Sequence, residues 1–367
     1  MPWCQPSSAW VSTPRIIEGI LYPLFMARKR SYRKMSKIEP AVQTLNFNFS
    51  VSAGTTVNQT LDLSQCASLV NRRFYRQGIN WAVSGIKVLT TGENNTGSIT
   101  VQKLPETWVM SNSWEKGFRA WQQMNNDALE ESESVRPRFL DFKIYADSLH
   151  HTAGFGANLL PLSSAGAFAA GEWESSKIAV PTSGATGNAT DFELIAVGGS
   201  YPGAGITTLD AVSLIEGYAA SRGLPNVLDP NAPADAEDVG PTGTPENWIG
   251  ALKNEGTDQD KDILDRMVGL AAENNIAPYP FENDGVNTDT QYPGGANQGT
   301  GLQVHDTEFI TPTTVGGTSR LKGGMFPCGL ARFVCVNSGG QPISFTLQID
   351  LVPGSHRGYL CEPMTEM

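Results

Sequence analysis

What most constrains this chain is a series of short runs in which apolar and polar residues alternate, each bounded by glycine, proline or asparagine. The run "VQTLNFNFSV", residues 42–51, sets Val42, Leu45, Phe47 and Phe49 mostly at period two, the spacing that places side chains on one face of a pleated strand. Similar runs predict strands over 79–91, 98–104, 138–146, 177–181, 191–199, 302–311, 330–337 and 343–352. "SGGQP" separates the last two and supplies turn residues for a tight connection. With 38 glycines, 23 prolines and only 17% charged residues, the chain reads as mainly β. Its 367 residues, 40% of them hydrophobic, suffice for one large core or two ordinary ones.

Three helices are predicted within this pattern. In "SNSWEKGFRAWQQMNNDALEE" Trp114, Phe118, Trp121, Met124 and Ala128 recur at helical spacing, with Asn112 as the expected N-cap. "TTLDAVSLIEGYAASRG" reads as a helix from Thr208 to a C-terminal glycine at Gly223, and "DQDKDILDRMVGLAAENN" as one with Ile263, Met267 and Leu270 on a stripe. Two polar connections, 224–245 and 277–301, are long enough to suggest solvent-displayed or functional loops. No internal repeat is visible.

Charge is segregated along the chain. The formal net charge is −11, yet residues 1–40 hold seven basic and two acidic side chains, leaving 19 and 35 for the remainder. Most of that excess lies in "MARKRSYRKMSK", residues 26–37, through Arg28, Lys29, Arg30, Arg33, Lys34 and Lys37, with Tyr32 interleaved. A basic segment without helical or strand periodicity suits a flexible arm that neutralises phosphates in a salt-sensitive, sequence-blind way. A second group, "NRRFYRQG", sets Arg72, Arg73 and Arg76 beside Phe74 and Tyr75, a combination able to stack on unpaired bases. Arginines flanking a β-core also serve as ion-pair partners, so both uses stand at this point.

Catalytic constellations are not evident. "GGSYPG" has Pro202 where a nucleophile elbow needs its second glycine, and no phosphate-binding glycine loop occurs. His150 and His151 are adjacent, which would put them on opposite faces of a strand, while His305 and His356 lie far off in sequence. Asp258, Asp260 and Asp262 open like a calcium loop, but Ile263 and Gly269 occupy the positions of its turn glycine and closing glutamate. The five cysteines are odd in number and lack metal-site spacing; Cys328 and Cys335, seven apart in one expected strand, are too distant to be joined. The expectation is reduced cysteines, no metal, no cofactor and no catalytic residues. The first 25 residues are interrupted by Glu18 and Pro23 and do not read as a signal peptide, Met26 is an alternative start, and no segment is long and apolar enough to span a bilayer.

The basic arm, the β-rich body, the stretch "SLIEGYAASRGLP" and above all the ending "FTLQIDLVPGSHRGYLCEPM" together resemble capsid proteins of small circular, Rep-encoding single-stranded DNA viruses. The resemblance covers most of the chain from about residue 41. It implies a single jelly roll, an eight-stranded antiparallel β-sandwich with helical and loop insertions near 105–135 and 200–300, preceded over residues 1–40 by a disordered segment with a basic arm. It further implies a homo-oligomeric icosahedral shell around a single-stranded DNA genome, a host receptor, no membrane insertion, and residence in the virion and in the host nucleus during assembly. From another class, a jelly-roll carbohydrate-binding or attachment module with acidic ligand or calcium loops is the competing expectation.

Overall fold

The computed structural model describes residues 40–91, 95–130, 134, 141–181, 189–199, 203, 205–221, 248–252, 301–314 and 317–366. The chain divides between Lys37 and Ile38, and all of these residues belong to the second unit, Ile38–Met367. The expected arm, the third helix and, apart from residue 301, both long polar connections lie outside the described residues. Among those described, no helix is long and apolar enough to cross a membrane.

The protein is mainly β, with its large sheets antiparallel and packed around an apolar core. Strands β1 (Thr44–Val51), β2 (Thr56–Asp62), β3 (Ile79–Thr91) and β4 (Gly97–Lys103) come first, with helix α1 (Leu63–Asn71) between β2 and β3. Helices α2 (Trp108–Glu130) and α3 (Ser148–Ala153) follow, then β5 (Leu162–Ser163), β6 (Gly166–Ala167), β7 (Lys177–Pro181), β8 (Ala189–Ile195), β9 (Ala211–Ser213) and helix α4 (Leu214–Ser221). After a short helix at Trp248–Ala251 the chain returns to β10 (Gln303–Ile310), β11 (Thr318–Phe326), β12 (Leu330–Asn337) and β13 (Ile343–Leu351). The pieces β14 (Pro353–Gly354), β15 (Gly358–Tyr359) and β16 (Cys361–Pro363) close it.

Two large sheets result, one ordered β1-β13-β3-β11 with β16 also on β3, the other β10-β4-β12-β2. Their alternation is what the sequence encodes. In β13 Ile343, Phe345, Leu347, Ile349 and Leu351 are buried, while Ser344 and Asp350 between them are exposed. These residues share one core with Leu61, Ile99, Val101, Phe333 and Cys335 of the other sheet, so each sheet buries one face against the other. A second cluster joins α2, α4, Trp248 and the small sheet β7-β8-β9, in which β8 and β9 run parallel.

Several expectations change. Residues 141–144 are not strand, and within 141–146 only Tyr145 makes a bridge, to Ile195; Phe142 and Ile144 alternate because they enter the second core. Helix α2 begins at Trp108, four residues before Asn112, and the Thr107 hydroxyl accepts from Met110 N at 3.3 Å in the capping role. Ala211–Ser213, expected to be helical, is strand β9, paired with β8, and Ser213 Oγ accepts from Glu216 N at 3.3 Å where α4 starts. Thr208 lies in a turn at φ 67°. His150 and His151 sit in helix α3, both buried, rather than in a strand. Cys328 lies in a 3-10 turn before β12 at φ 55°, not in one strand with Cys335.

Candidate functional site

Helix α1 sets the position of the Arg72–Arg76 segment. Its N-cap is Asp62, wholly buried, whose Oδ1 accepts from Ser64 N (2.8 Å) and Gln65 N (3.2 Å) and whose Oδ2 accepts from Gln77 Nε2 (2.9 Å) and Trp173 Nε1 (3.0 Å). Burial pushes the Asp62 carboxyl up, although these four donors pull it down. Arg72 ends α1 in a left-handed conformation, φ 51°.

Arg72, Arg73 and Arg76 are all exposed, as a phosphate contact requires. Their aromatic neighbours are not displayed with them. Tyr75 is buried, with its hydroxyl donating to Arg357 O at 3.0 Å and its ring 5.5 Å from Tyr359 and 6.0 Å from Trp81. Phe74 is half-buried, its ring 6.4 Å from that of Trp173. Tyr75 therefore serves the core, and the aromatic surface beside Arg76 is a different one. Arg76 lies at a cleft of about 150 Å³ walled by Trp114, Phe118 and Phe142, with Glu115 and the C-terminal Met364 alongside. Trp114 and Phe118 are stacked at 5.2 Å. Gly78 permits this, since a Cβ there would stand 2.2 Å from the Trp114 ring. Nearby, burial and then the charges of Arg76 and Arg357 push His356 down.

A buried polar cluster lies behind α3. His151 Nε2 is 2.9 Å from Glu193 Oε2, Ser175 Oγ donates to Glu193 Oε1 at 2.6 Å, and Thr207 Oγ1 donates to Oε2 at 2.7 Å. Burial alone would raise the Glu193 carboxyl, but these hydrogen bonds outweigh it and hold the group low. The arrangement runs Ser–Glu–His, so the Ser175 proton is directed to a carboxylate and not to an imidazole, unlike the order a serine nucleophile needs. It acts as a bracket between α3 and β8. Beside it, Asp147 caps α3 through His150 N (3.0 Å) and is gripped by both terminal nitrogens of Arg332 on β12. His150 is pushed down to about 3, first by burial, with Arg332 and His151 adding to that and Asp147 opposing it.

Cys66, Cys328, Cys335 and Cys361 are free thiols. Among the described residues no group of histidine, cysteine, aspartate or glutamate side chains could hold a metal ion. Asp258, Asp260 and Asp262 lie outside the described residues, as do Arg28, Lys29, Arg30, Tyr32, Arg33, Lys34 and Lys37. Three cations outside the basic runs of the sequence are adjacent in the fold: Lys87 on β3 and Arg320 and Lys322 on β11. More than 200 positions of chain separate Lys87 from the other two, which hides a proximity that only strand pairing creates. No family model matches the chain, and no curated protein and no solved structure matches it.

Proposed function

We propose that the chain is a shell-forming structural subunit, a jelly-roll capsid protein of the small circular, Rep-encoding single-stranded DNA virus type, which assembles in many copies around DNA held by the basic segment 26–37. The observation that carries this reading is the pairing of the eight long strands of the two large sheets. Counted in chain order, the first pairs with the eighth (β1 with β13), the second with the seventh (β2 with β12), the third with the sixth (β3 with β11) and the fourth with the fifth (β4 with β10). An antiparallel ribbon wound on itself in this way supports a jelly roll, an architecture shared by viral shells and lectins. Charge segregation favours the shell: a head with a net excess of five positive charges precedes a remainder with a net excess of sixteen negative ones. In a closed shell this polarity directs the cationic segment to an enclosed polyanion and the acidic body to other surfaces. Copies that bind one polyanion also raise one another's effective concentration, which couples packaging to closure.

The test is electron microscopy of purified full-length protein combined with nuclease protection. Uniform shells that protect nucleic acid, degraded by DNase and not RNase after extraction, are the expected result. A solitary protein that binds a glycan and ignores oligonucleotides at low salt overturns the reading in favour of an attachment module.

A further inference from the structure

Strand register assembles an uncommitted cationic surface on the outer face of the β1-β13-β3-β11 sheet. Asn46, Gln348, Lys87 and Arg320 are register partners across the four strands, and Thr44, Asp350, Gly85 and Lys322 form the adjoining row. Neither row contains a buried residue, whereas the alternate row Leu45, Ile349, Ile86 and Leu321 is buried throughout. Arg320 and Lys322 are exposed and Lys87 is half-buried.

The placement is electrostatically costly. Lys87 and Arg320 lie directly opposite one another, where β-carbons stand about 5 Å apart and like charges oppose pairing. Arg320 and Lys322, two residues apart on one strand, are about 7 Å apart on the same face. Lys103, Lys143, Arg119 and Arg332 each hold a carboxylate; these three cations make no such pair among the described residues. Two neighbouring acids accept other hydrogen bonds: Asp350 Oδ1 from Thr44 Oγ1 at 2.6 Å, and the Asp306 carboxylate from the backbone N–H groups of Lys322 (2.8 Å) and Thr307 (3.0 Å).

We infer that this face is a second, preformed contact for the sugar–phosphate backbone of single-stranded nucleic acid, separate from the segment 26–37. The inference rests on the packaging role proposed above. Amide and hydroxyl groups beside lysine and arginine are the side-chain types that hold phosphate and sugar oxygens. A docked protein copy is the other candidate, but a stable protein interface needs an apolar or aromatic centre. The two rows carry no apolar side chain, and the next one, Asn48, Thr346, Leu89 and Thr318, contributes only Leu89.

The test compares full-length wild type, the triple variant Lys87→Gln/Arg320→Gln/Lys322→Gln, its charge-retaining counterpart Lys87→Arg/Arg320→Lys/Lys322→Arg, and a variant with all six basic residues of 26–37 changed to Gln. Anisotropy of a fluorescein-labelled oligothymidylate is followed across a NaCl series. Loss of three phosphate contacts makes the slope of log affinity against log salt shallower by about 2, at about 0.7 per phosphate, while the charge-retaining variant keeps the wild-type slope. If the arm variant weakens binding and the triple variant matches wild type, the inference falls and the packaging role stands. If wild type does not bind the oligonucleotide, both fall. A triple variant that keeps the slope but changes sedimentation shows a copy-to-copy contact and also overturns the inference.

Discussion

Replacing Arg332 with methionine tests whether this cation is structural, in contrast to those on the opposite sheet. Arg332 projects from the outer face of β12, yet it is only 4% exposed because α3 covers it. Its Nη1 donates to Asp147 Oδ2 at 2.5 Å and its Nη2 to Oδ1. Asp147 is itself mostly withdrawn from water, with 16% of its side chain exposed. Arg332→Met preserves much of the apolar stem but leaves the carboxylate with the His150 N–H as its remaining cap partner. Removing one member of a buried pair costs about 3–5 kcal/mol, which is about a fifth or more of the roughly 5–15 kcal/mol that holds a typical domain folded. Asp147→Asn in the same chain removes the stranded charge and retains a good N-cap residue, so the double variant should recover a large part of the loss. Urea denaturation of the four members of this cycle, followed by tryptophan fluorescence, measures the coupling. The reasoning is refuted if Arg332→Met lies within about 1 kcal/mol of wild type, or if the double variant is no more stable than the single one. Oligonucleotide affinity should be the same for all folded members.

Acid should destabilise the fold through His150, whose folded pKa of about 3 lies below the ordinary value of 6.5. The unfolded chain binds the extra proton, so stability is full above pH 6.5 and falls as pH drops toward 3 at up to about 1.4 kcal/mol per pH unit; urea midpoints of His150→Gln should show a flatter profile across that window. Glu193 adds in the same sense lower down, because its depressed carboxyl contributes stability above its ordinary 4.5 that is lost as pH falls through the folded value, and Glu193→Gln should remove that part of the acid limb. Gly97→Ala should lower stability by about 1–3 kcal/mol in thermal melts, since a Cβ at this position would stand 2.1 Å from Val336 O. Conversely, Lys87→Gln should stabilise by about 0.2–1 kcal/mol by relieving the opposition with Arg320, and the gain should shrink as salt is added; a loss of stability would show that the two charges are not in conflict.

The strands that periodicity revealed are those with apolar residues at most inward positions, such as β12 and β13, whose bounds at 330–337 and near 343–351 follow the alternation. Those it missed sit at sheet edges. β2, "TVNQTLD", and β11, "TSRLKGGMF", each pair with only one strand in the large sheets; their other edges are met by loop backbone and side chains, Leu159 N donating to Thr60 O and Lys322 N to Asp306 Oδ2, so no second ladder holds them to a regular apolar alternation. Local alternation misled at 141–146 because apolar residues bound for the second core can alternate without any ladder to join, and at Ala211–Ser213 because pairing with β8 overrode helical spacing.

The proposed nucleic-acid contacts divide along the same line. A cationic head is contiguous, so counting finds it. The Lys87–Arg320–Lys322 surface exists only because β3 and β11 are the third and sixth strands of a ribbon that folds back on itself, which makes residues distant in the chain into cross-strand neighbours. Counting also fails to tell an available cation from a committed one. Arg332 and Arg320 are twelve positions apart on successive strands, but one is clamped to Asp147 under a helix and the other faces water opposite a second positive charge. Burial and register make that distinction, and it is the one on which the proposed recognition of a polyanion by the folded body rests.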